Sequence, residues 1–249
     1  IAPYLTDSRI HYIKQENAGQ AVAKNAGIIN SKSEFIAFLD ADDLWDHTKL
    51  EKQIPLFSDP YVGVVYSSSR YIDGDGKDFI FRIESDYMMP KSGYVSKHLL
   101  FDNFVPFSSS VVRRECFERV GLFNESLSMG IDWDLWLRIS VYYQFQYVDE
   151  PLLLYRIGHS GQMSRNLEKR IRCADSIFQA FLEANPDIVS PYLRRRILHY
   201  SCVSRGKYLR NTNLKMSNHY LLKAFITWPF SLEPLKELIK TYLLRIIGK

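Results

Sequence analysis

The sequence predicts an α/β fold of the parallel-sheet kind, followed by a helical C-terminal segment. Three observations lead there. Residues 35–39, Phe-Ile-Ala-Phe-Leu, are an unbroken apolar run that suits a strand packed on both faces, as in a parallel sheet. A turn signal at Asn17-Ala18-Gly19-Gln20 and a helical stretch at 21–29 precede that run, which is the turn-α-β order of an α/β sheet. From Asn166 onward the pattern is helical to the end, broken near Asn185-Pro186 and Trp228-Pro229.

Each element follows from local pattern. Arg9–Ile13 reads as a short strand. The helix at 21–29 places Val22, Ala26 and Ile29 on one face. Asp46 can cap a helix with the stripe Leu50, Ile54 and Phe57, and Pro55 inside it should end it early. Tyr61–Tyr66 is the next strand. Asp73-Gly74-Asp75-Gly76 is a turn between Ser68–Ile72 and Phe79–Ile83, read as a hairpin because EF-hand spacing and its terminal Glu are absent. Residues 84–106 are irregular, with a helical piece near Val95–Phe101. Ser108–Arg113 is a strand, and Arg114–Val120 a short helix stopped by Gly121. Asp132–Tyr142 is a strong helix. Phe145–Val148 and Leu152–Arg156 are short strands around Glu150-Pro151.

The 249 residues are 46% hydrophobic and 24% charged, enough for one sizeable core and a smaller appendage. A net charge of +4 is too mild to argue for nucleic acid as a partner. The charge is uneven: Lys and Arg crowd residues 165–249, including Arg194-Arg195-Arg196, and most Asp lies earlier. Cys116, Cys173 and Cys202 are far apart, form no CxxC pair, and fit a reducing compartment. No signal peptide is visible and no apolar run is long enough to span a bilayer.

Two acidic segments carry candidate chemistry. The strand at 35–39 runs into Asp40, Asp42 and Asp43. Open α/β sheets bind ligands just beyond the carboxyl ends of their strands. Three crowded carboxylates repel one another, so a cation between them makes physical sense. Hard oxygen ligands favour Mg²⁺ or Mn²⁺ beside a substrate phosphate. The plain alternative is a solvated Asp-rich turn with capping duty. In Gly130-Ile131-Asp132-Trp133-Asp134-Leu135-Trp136-Leu137-Arg138, Asp132 stands at a helix N-terminus, where the macrodipole favours its ionised form. Trp136 and Ile139 share its face, and Asp134 can pair with Arg138 at i,i+4. Asp132 is either a general base for an attacking hydroxyl or an N-cap.

Taken in order, Asn17-x-Gly19, Lys24-Asn25, Asp40-Ala41-Asp42-Asp43-Leu44-Trp45, Val120-Gly121-Leu122-Phe123-Asn124-Glu125 and Asp132-Trp133-Asp134-Leu135-Trp136-Leu137-Arg138 resemble the family 2 glycosyltransferases of GT-A fold. These are inverting enzymes that use nucleotide-diphosphate sugars, and the likeness covers roughly residues 9–165. The resemblance implies a Rossmann-like GT-A catalytic domain at 1–165, a mixed sheet flanked by helices, and a helical region at 166–249. It implies that Asp40-Ala41-Asp42 is a DxD motif contacting the ribose and the diphosphate-bound metal, with Asp42 as ligand and Asp43 as its rival. Asp132 matches the carboxylate that activates the acceptor, although Ile131 replaces the usual acidic residue before it. Asn17, Gly19 and Asn25 match a loop and helix bordering the nucleotide. Tyr155-Arg156 with His159 resembles a late segment that reaches the diphosphate or metal. The implied cofactor is Mn²⁺ or Mg²⁺. The implied donor is a UDP-sugar, and the acceptor a glycan or lipid-linked molecule of a cell-surface polysaccharide.

Family members begin with two strands, of the type Val-Ile-Ile-Pro-x-Tyr-Asn and one ending Asp-Asp-Gly-Ser. Neither occurs here, and residue 1 is Ile. The chain is therefore expected to lack on the order of two βα units of roughly 30 residues each. Alone, it is expected to be inactive or poorly folded. At the far end, Leu235, Leu238, Ile239, Tyr242, Leu243 and Ile246 form a helical stripe beside Lys236, Lys240, Arg245 and Lys249. Residues 230–249 either lie on an anionic membrane surface, placing the protein at the cytoplasmic face of the membrane, or pack on the catalytic domain. Two rival functions stand beside glycosyl transfer: a non-catalytic module that kept the fold, and a metal-dependent nucleotidyltransferase or phosphohydrolase.

Overall fold

A computed structural model describes residues 2–79, 88–158 and 167–246. The chain divides into two compact units, Ile1–Phe181 and Leu182–Lys249. The first holds a five-stranded sheet of order β1-β4-β3-β5-β2, with β1 Phe35–Ala37, β2 Leu44–Trp45, β3 Val62–Ile72, β4 Val111–Arg113 and β5 Gln144–Arg156. Strand β3 runs parallel to β5, whereas β1–β4, β3–β4 and β2–β5 are antiparallel. Strands β1, β3 and β5 therefore share one direction, and β2 and β4 oppose it.

This corrects the expectation of a purely parallel neighbourhood for the 35–39 run. Strand β1 is three residues long and lies at a sheet edge. Its apolar character comes from packing on both faces. Phe35 meets Phe57 at 4.5 Å between ring centroids, against Val62, Val65 and Val111. Phe38, just past β1, meets Phe107, Phe117 and Phe123 on the other side.

Strands expected separately at 61–66 and 68–72 are one strand, β3, and those at 145–148 and 152–156 are β5. Pro151 is tolerated because the ladder is irregular there: Ser67 pairs with Val148 and Ser68 with Pro151, so residues 149–150 bulge out. The turn at 73–76 forms, closed by Asp73 N donating to Lys77 O at 2.9 Å. The strand expected at 79–83 lies beyond the described residues after Phe79. The strand expected at 9–13 does not form. Residues 10–19 have no regular structure and face solvent, because no neighbouring strand receives their backbone groups.

Helix α1, Gln20–Asn30, buries Ala21, Asn25 and Ile28 and leaves Ile29 exposed. The buried face is rotated from the expected one because Asn25 is pulled inward by polar partners described below. Helix α2, Lys49–Gln53, passes into a 3-10 turn at Ile54–Ser58, as Pro55 requires. Lys49 and Gln53 face inward and Leu50 outward. Lys49 Nζ lies 4.3 Å from the centre of the Trp45 ring, and burial pulls its pKa down to about 7. Short helices α3, Ser96–Leu99, and α4, Arg114–Val120, precede α5, Ile131–Ser140. Helix α6 covers Leu167–Ala184.

The second unit comprises α7 Pro191–Leu209, α8 Leu214–Thr227 and α9 Glu233–Ile246. Ser190 and Asn213 cap α7 and α8 through their side chains. Gly206 lets α7 and α8 touch: Ser217 Oγ donates to Gly206 O at 2.7 Å.

Gly63 on β3 has no room for a side chain, since a Cβ would lie 2.6 Å from Tyr143 Cβ and 2.7 Å from Cys116 Sγ. Gly63→Ala should cost about 1–3 kcal/mol. Thermal unfolding checks this, and an unchanged Tm would contradict the packing.

Candidate functional site

The carboxylates after β1 sit where the chain leaves one edge of the sheet for the other. Strand β2, which follows them, pairs at the opposite edge. Residues 38–43 therefore cross the sheet at the carboxyl end of β1, with a turn closed by Asp43 N donating to Asp40 O at 3.1 Å. Asp40 N donates to Ser108 Oγ at 3.1 Å, and Trp45 Nε1 donates to Ser108 O at 2.6 Å. Asp40 Oδ1 is 3.0 Å from Lys24 Nζ. That ammonium also donates to Gln20 Oε1 at 3.2 Å and lies 4.2 Å from the centre of the Phe107 ring.

Asp43 is buried. Its Oδ1 accepts from Arg156 N at 3.0 Å, and its Oδ2 has no hydrogen-bond partner. Burial raises the pKa. The Ser108 hydroxyl and the Arg156 N–H oppose that rise, and the charges of Asp42 and Asp40 add to it. An orphaned carboxylate oxygen in a like-charged turn fits a hard cation. Among the described residues no group of three or more His, Cys, Asp or Glu is assembled to hold a metal unaided. Asp42 presents its backbone carbonyl to Arg156 Nε at 2.9 Å.

Asp132 lies in the first turn of α5. Gly130 starts that helix at φ 71°, a left-handed conformation that a side chain would strain. Trp133 Nε1 donates to Leu99 O at 2.7 Å and pins α5 to α3. Asp132 Oδ2 accepts from Asn103 Nδ2 at 2.8 Å. Burial raises its pKa well above the usual carboxylate range. The helix N–H groups, the Asn103 amide and the charge of Lys24 pull the other way. The N-cap position belongs to Gly130, with no side-chain cap hydrogen bond, so Asp132 lies inside the first turn and does not cap the helix. A base whose pKa moves toward the working pH is better matched to proton transfer.

Asn103 and Ser108 belong to one segment that bridges the two acidic sites. Asn103 serves Asp132, Phe107 lies under Lys24, and Ser108 holds Asp40, Asp43 and Trp45. Lys24 is the electrostatic link, paired with Asp40 and acting on Asp132. Lys24 was quoted with Asn25 in the sequence pattern but assigned no role. A basic residue on a helix one strand before three carboxylates was the available signal. Nothing local marked Asn103 or Ser108.

The other candidates lie as follows. Asn17 Oδ1 accepts from Gly19 N at 3.2 Å, and Gly19, at φ 91°, leads into α1; both are exposed. Asn25 is buried and committed to the 123–125 loop. It donates to Phe123 O at 3.0 Å and Glu125 Oε1 at 2.8 Å, and accepts from Phe123 N at 2.9 Å. His159 lies outside the described residues. The Arg156 guanidinium is engaged with the carbonyls of Asp42, Asp73 and Gly74, which ties the acidic turn to the 73–76 turn. The i,i+4 pair Asp134–Arg138 forms at 2.7 Å, and Arg138 also donates to the carbonyls of Val120, Gly121 and Leu122.

Comparison with known proteins defines the class. A model of the glycosyltransferase-like family 2 matches residues 5–187, and the chain belongs to that family. It is 28% identical over 177 residues to an uncharacterised glycosyltransferase of Rickettsia felis, covering 70% of this chain and 29% of that protein. A 49-residue stretch is 47% identical to TuaG of Bacillus subtilis, a protein named for teichuronic acid biosynthesis, covering 19% of each. Among solved structures, the mannosyltransferase PcManGT of Pyrobaculum calidifontis, in complex with GDP-Man and Mn²⁺, matches with a TM-score of 0.54 and 20% identity. That match covers 94% of this chain and 61% of the other. The fold is of GT-A type. The chain spans between 26% and 55% of the length of the first several curated relatives that it matches.

Because Asp132's folded-state pKa is raised, its contribution to stability is present below its unfolded value of about 3.9 and is lost as pH rises through the raised value. Asp132→Asn should therefore raise Tm by a few degrees at pH 7, with the gain vanishing toward pH 4. Melts across that range test it, and a lower Tm at pH 7 would contradict the sign. Lys24→Met removes a charge that favours the carboxylate, so Asp132 should titrate higher still in that variant and near the wild-type value in Lys24→Arg. Carboxyl-carbon NMR read against Asp132→Asn measures both.

Proposed function

We propose that this chain forms the transfer site of a metal-dependent, inverting glycosyltransferase. In this reading a nucleotide-diphosphate sugar gives its sugar to a glycan or lipid-linked acceptor in cell-surface polysaccharide synthesis. The observation that carries the reading is the 103–110 segment, which holds an orphan-bearing acidic turn at one end and a proton-ready carboxylate at the other. Membership of the family and the GT-A fold support transferase chemistry. The short likeness to TuaG supports a polysaccharide product.

The reaction is one displacement. The acceptor hydroxyl attacks the anomeric carbon, and its oxygen–carbon bond forms as the sugar–diphosphate bond breaks. The electron pair leaves with the nucleoside diphosphate, and the hydroxyl proton passes to Asp132. Asn103 fixes the orientation of that carboxylate, and the low-polarity surroundings that raise its pKa strengthen it as a base. Lys24 pairs with Asp40, and its charge favours the ionised form of Asp132. A divalent ion, Mn²⁺ or Mg²⁺, held by Asp42 and Asp43, would neutralise charge on the diphosphate. Asn17, Gly19, Asp40 and His159 border the donor in this reading, while the buried Asn25 braces the 123–125 loop.

A donor screen with UDP- and GDP-sugars and Mn²⁺ or Mg²⁺, on this chain and on a longer product containing it, tests the reading. Asp132→Asn should lower transfer by about 10²–10⁴-fold while retaining donor binding. Asp42→Asn and Asp43→Asn should weaken metal-dependent donor binding. Transfer by Asp132→Asn at the wild-type rate would sink the assignment. Donor binding without turnover would identify a non-catalytic module. Donor cleavage that ignores Asp132 and makes no glycoside would identify a phosphohydrolase or nucleotidyltransferase.

A further inference from the structure

Helix α9 divides its apolar residues between two sides. Its inward side is mixed: Pro234 is buried and Leu235 and Leu238 half-buried beside Thr241, which is 1% exposed and whose hydroxyl accepts from Arg210 Nε at 2.9 Å. Arg210 also pairs with Glu237, and Lys207 with Glu233 at 2.7 Å. Three apolar residues of α9 turn outward, with Ile239 61% exposed and Tyr242 and Leu243 each about half exposed. The expected apolar stripe therefore does not seal against its own unit through these residues.

Helix α8 contributes to the same face. Asn218 Nδ2 donates to Tyr242 Oη at 2.9 Å, which sets the register of the two helices. Leu222 and Ile226 continue the Asn218 stripe one and two turns on, and Ile239 lies one turn from Tyr242. Both α8 residues are exposed, Ile226 by 78%. The connection between the helices carries Phe230, 85% exposed. It is braced by edge-to-face ring contacts, Trp228–Phe230 at 5.7 Å and Tyr192–Trp228 at 5.2 Å.

The charge says what covers this face. Residues 182–249 hold 12 Lys and Arg against 4 Asp and Glu, while the rest of the chain holds 20 against 24. Exposed Lys223 adjoins Leu222, and exposed Lys236 and Lys240 flank Ile239. A second copy of such a surface would be repelled by its own charge. A bilayer bearing anionic headgroups satisfies both the apolar side chains and the lysines around them. No helix among the described residues is long and apolar enough to cross a membrane.

We propose that the outer face of the α8–α9 hairpin, led by Leu222, Ile226, Phe230 and Ile239, docks on an anionic lipid surface. The face lies in the plane of the headgroups with its apolar side chains inserted. This surface does not depend on the catalytic reading, and its test uses no activity.

Cosedimentation of the 249-residue chain with phosphatidylcholine vesicles, alone or doped with phosphatidylglycerol, decides. The chain should pellet with the doped vesicles and weakly with the neutral ones, and high salt should release it. The triple variant Ile226→Ser, Phe230→Ser, Ile239→Ser changes only exposed side chains. It should keep its circular dichroism and lose about tenfold or more in binding. Absence of binding to doped vesicles would overturn the proposal. So would binding that the triple variant leaves unchanged, because charge alone would then suffice. A concentration-dependent dimer broken by the triple variant, with no vesicle binding, would assign the face to a second copy.

Discussion

The buried hydroxyl of Ser108 is the constraint on which the rest of the site depends. It accepts the N–H of Asp40 and supports the carboxylate of Asp43, while its carbonyl takes the Trp45 indole. Ser109 and Ser110, equally buried, turn their hydroxyls to the carbonyls of Pro106 and Phe107 and so fix the turn that delivers Ser108. Gln53 Nε2 donates to Ser109 O and joins α2 to the same point. Buried polar groups of this kind hold only if nearly all are satisfied. Asp43 Oδ2 is one of several buried atoms the fold leaves without a partner, Gln53 Oε1 and Lys49 Nζ being its neighbours in the chain, and it is the carboxylate oxygen among them.

Stability is given up where chemistry is proposed. Asp132 and Asp43 both carry pKa values raised by burial, which means that the folded chain resists their ionised forms. Lys24 offsets part of that cost for Asp132. Lys49 is the counterpart with opposite sign. Its ammonium is buried without a hydrogen-bond acceptor, faces the Trp45 ring and is drawn down to about 7. Its contribution to stability is therefore lost as pH falls through 7. Asp43 and Lys49, close together in the chain, therefore respond to pH in opposite directions.

The two units differ in what they ask of their surroundings. The first packs an aromatic cluster inside, around Phe38, Phe107, Phe123 and Trp136. The second turns polar groups inward on α9 and leaves apolar ones in solvent. The sequence stripe at 235–246 was open to two readings because periodicity reports a face and not its direction. In the structure Arg210 holds Glu237 and Thr241, Leu235 and Leu238 are half-buried, and Ile239, Tyr242 and Leu243 are exposed, so the stripe is split between two sides.

The sequence by itself determined the elements whose signals are local. Gly121 stops α4, Pro55 ends α2, and Asp134–Arg138 pairs across one helical turn. It also determined the ordered acidic motifs that point to the family. The tertiary structure decided what depends on residues far apart in the chain. It set β1 at an edge against β4, buried Asn25 through partners about 100 residues away, and left the expected strand at 9–13 unformed for want of a neighbour. It also brought Asn103 to Asp132 and Ser108 to Asp40, contacts no spacing rule contains. The reason is physical: propensity and periodicity act over a few residues, whereas the burial of a polar side chain is decided by whichever distant groups can satisfy its hydrogen bonds.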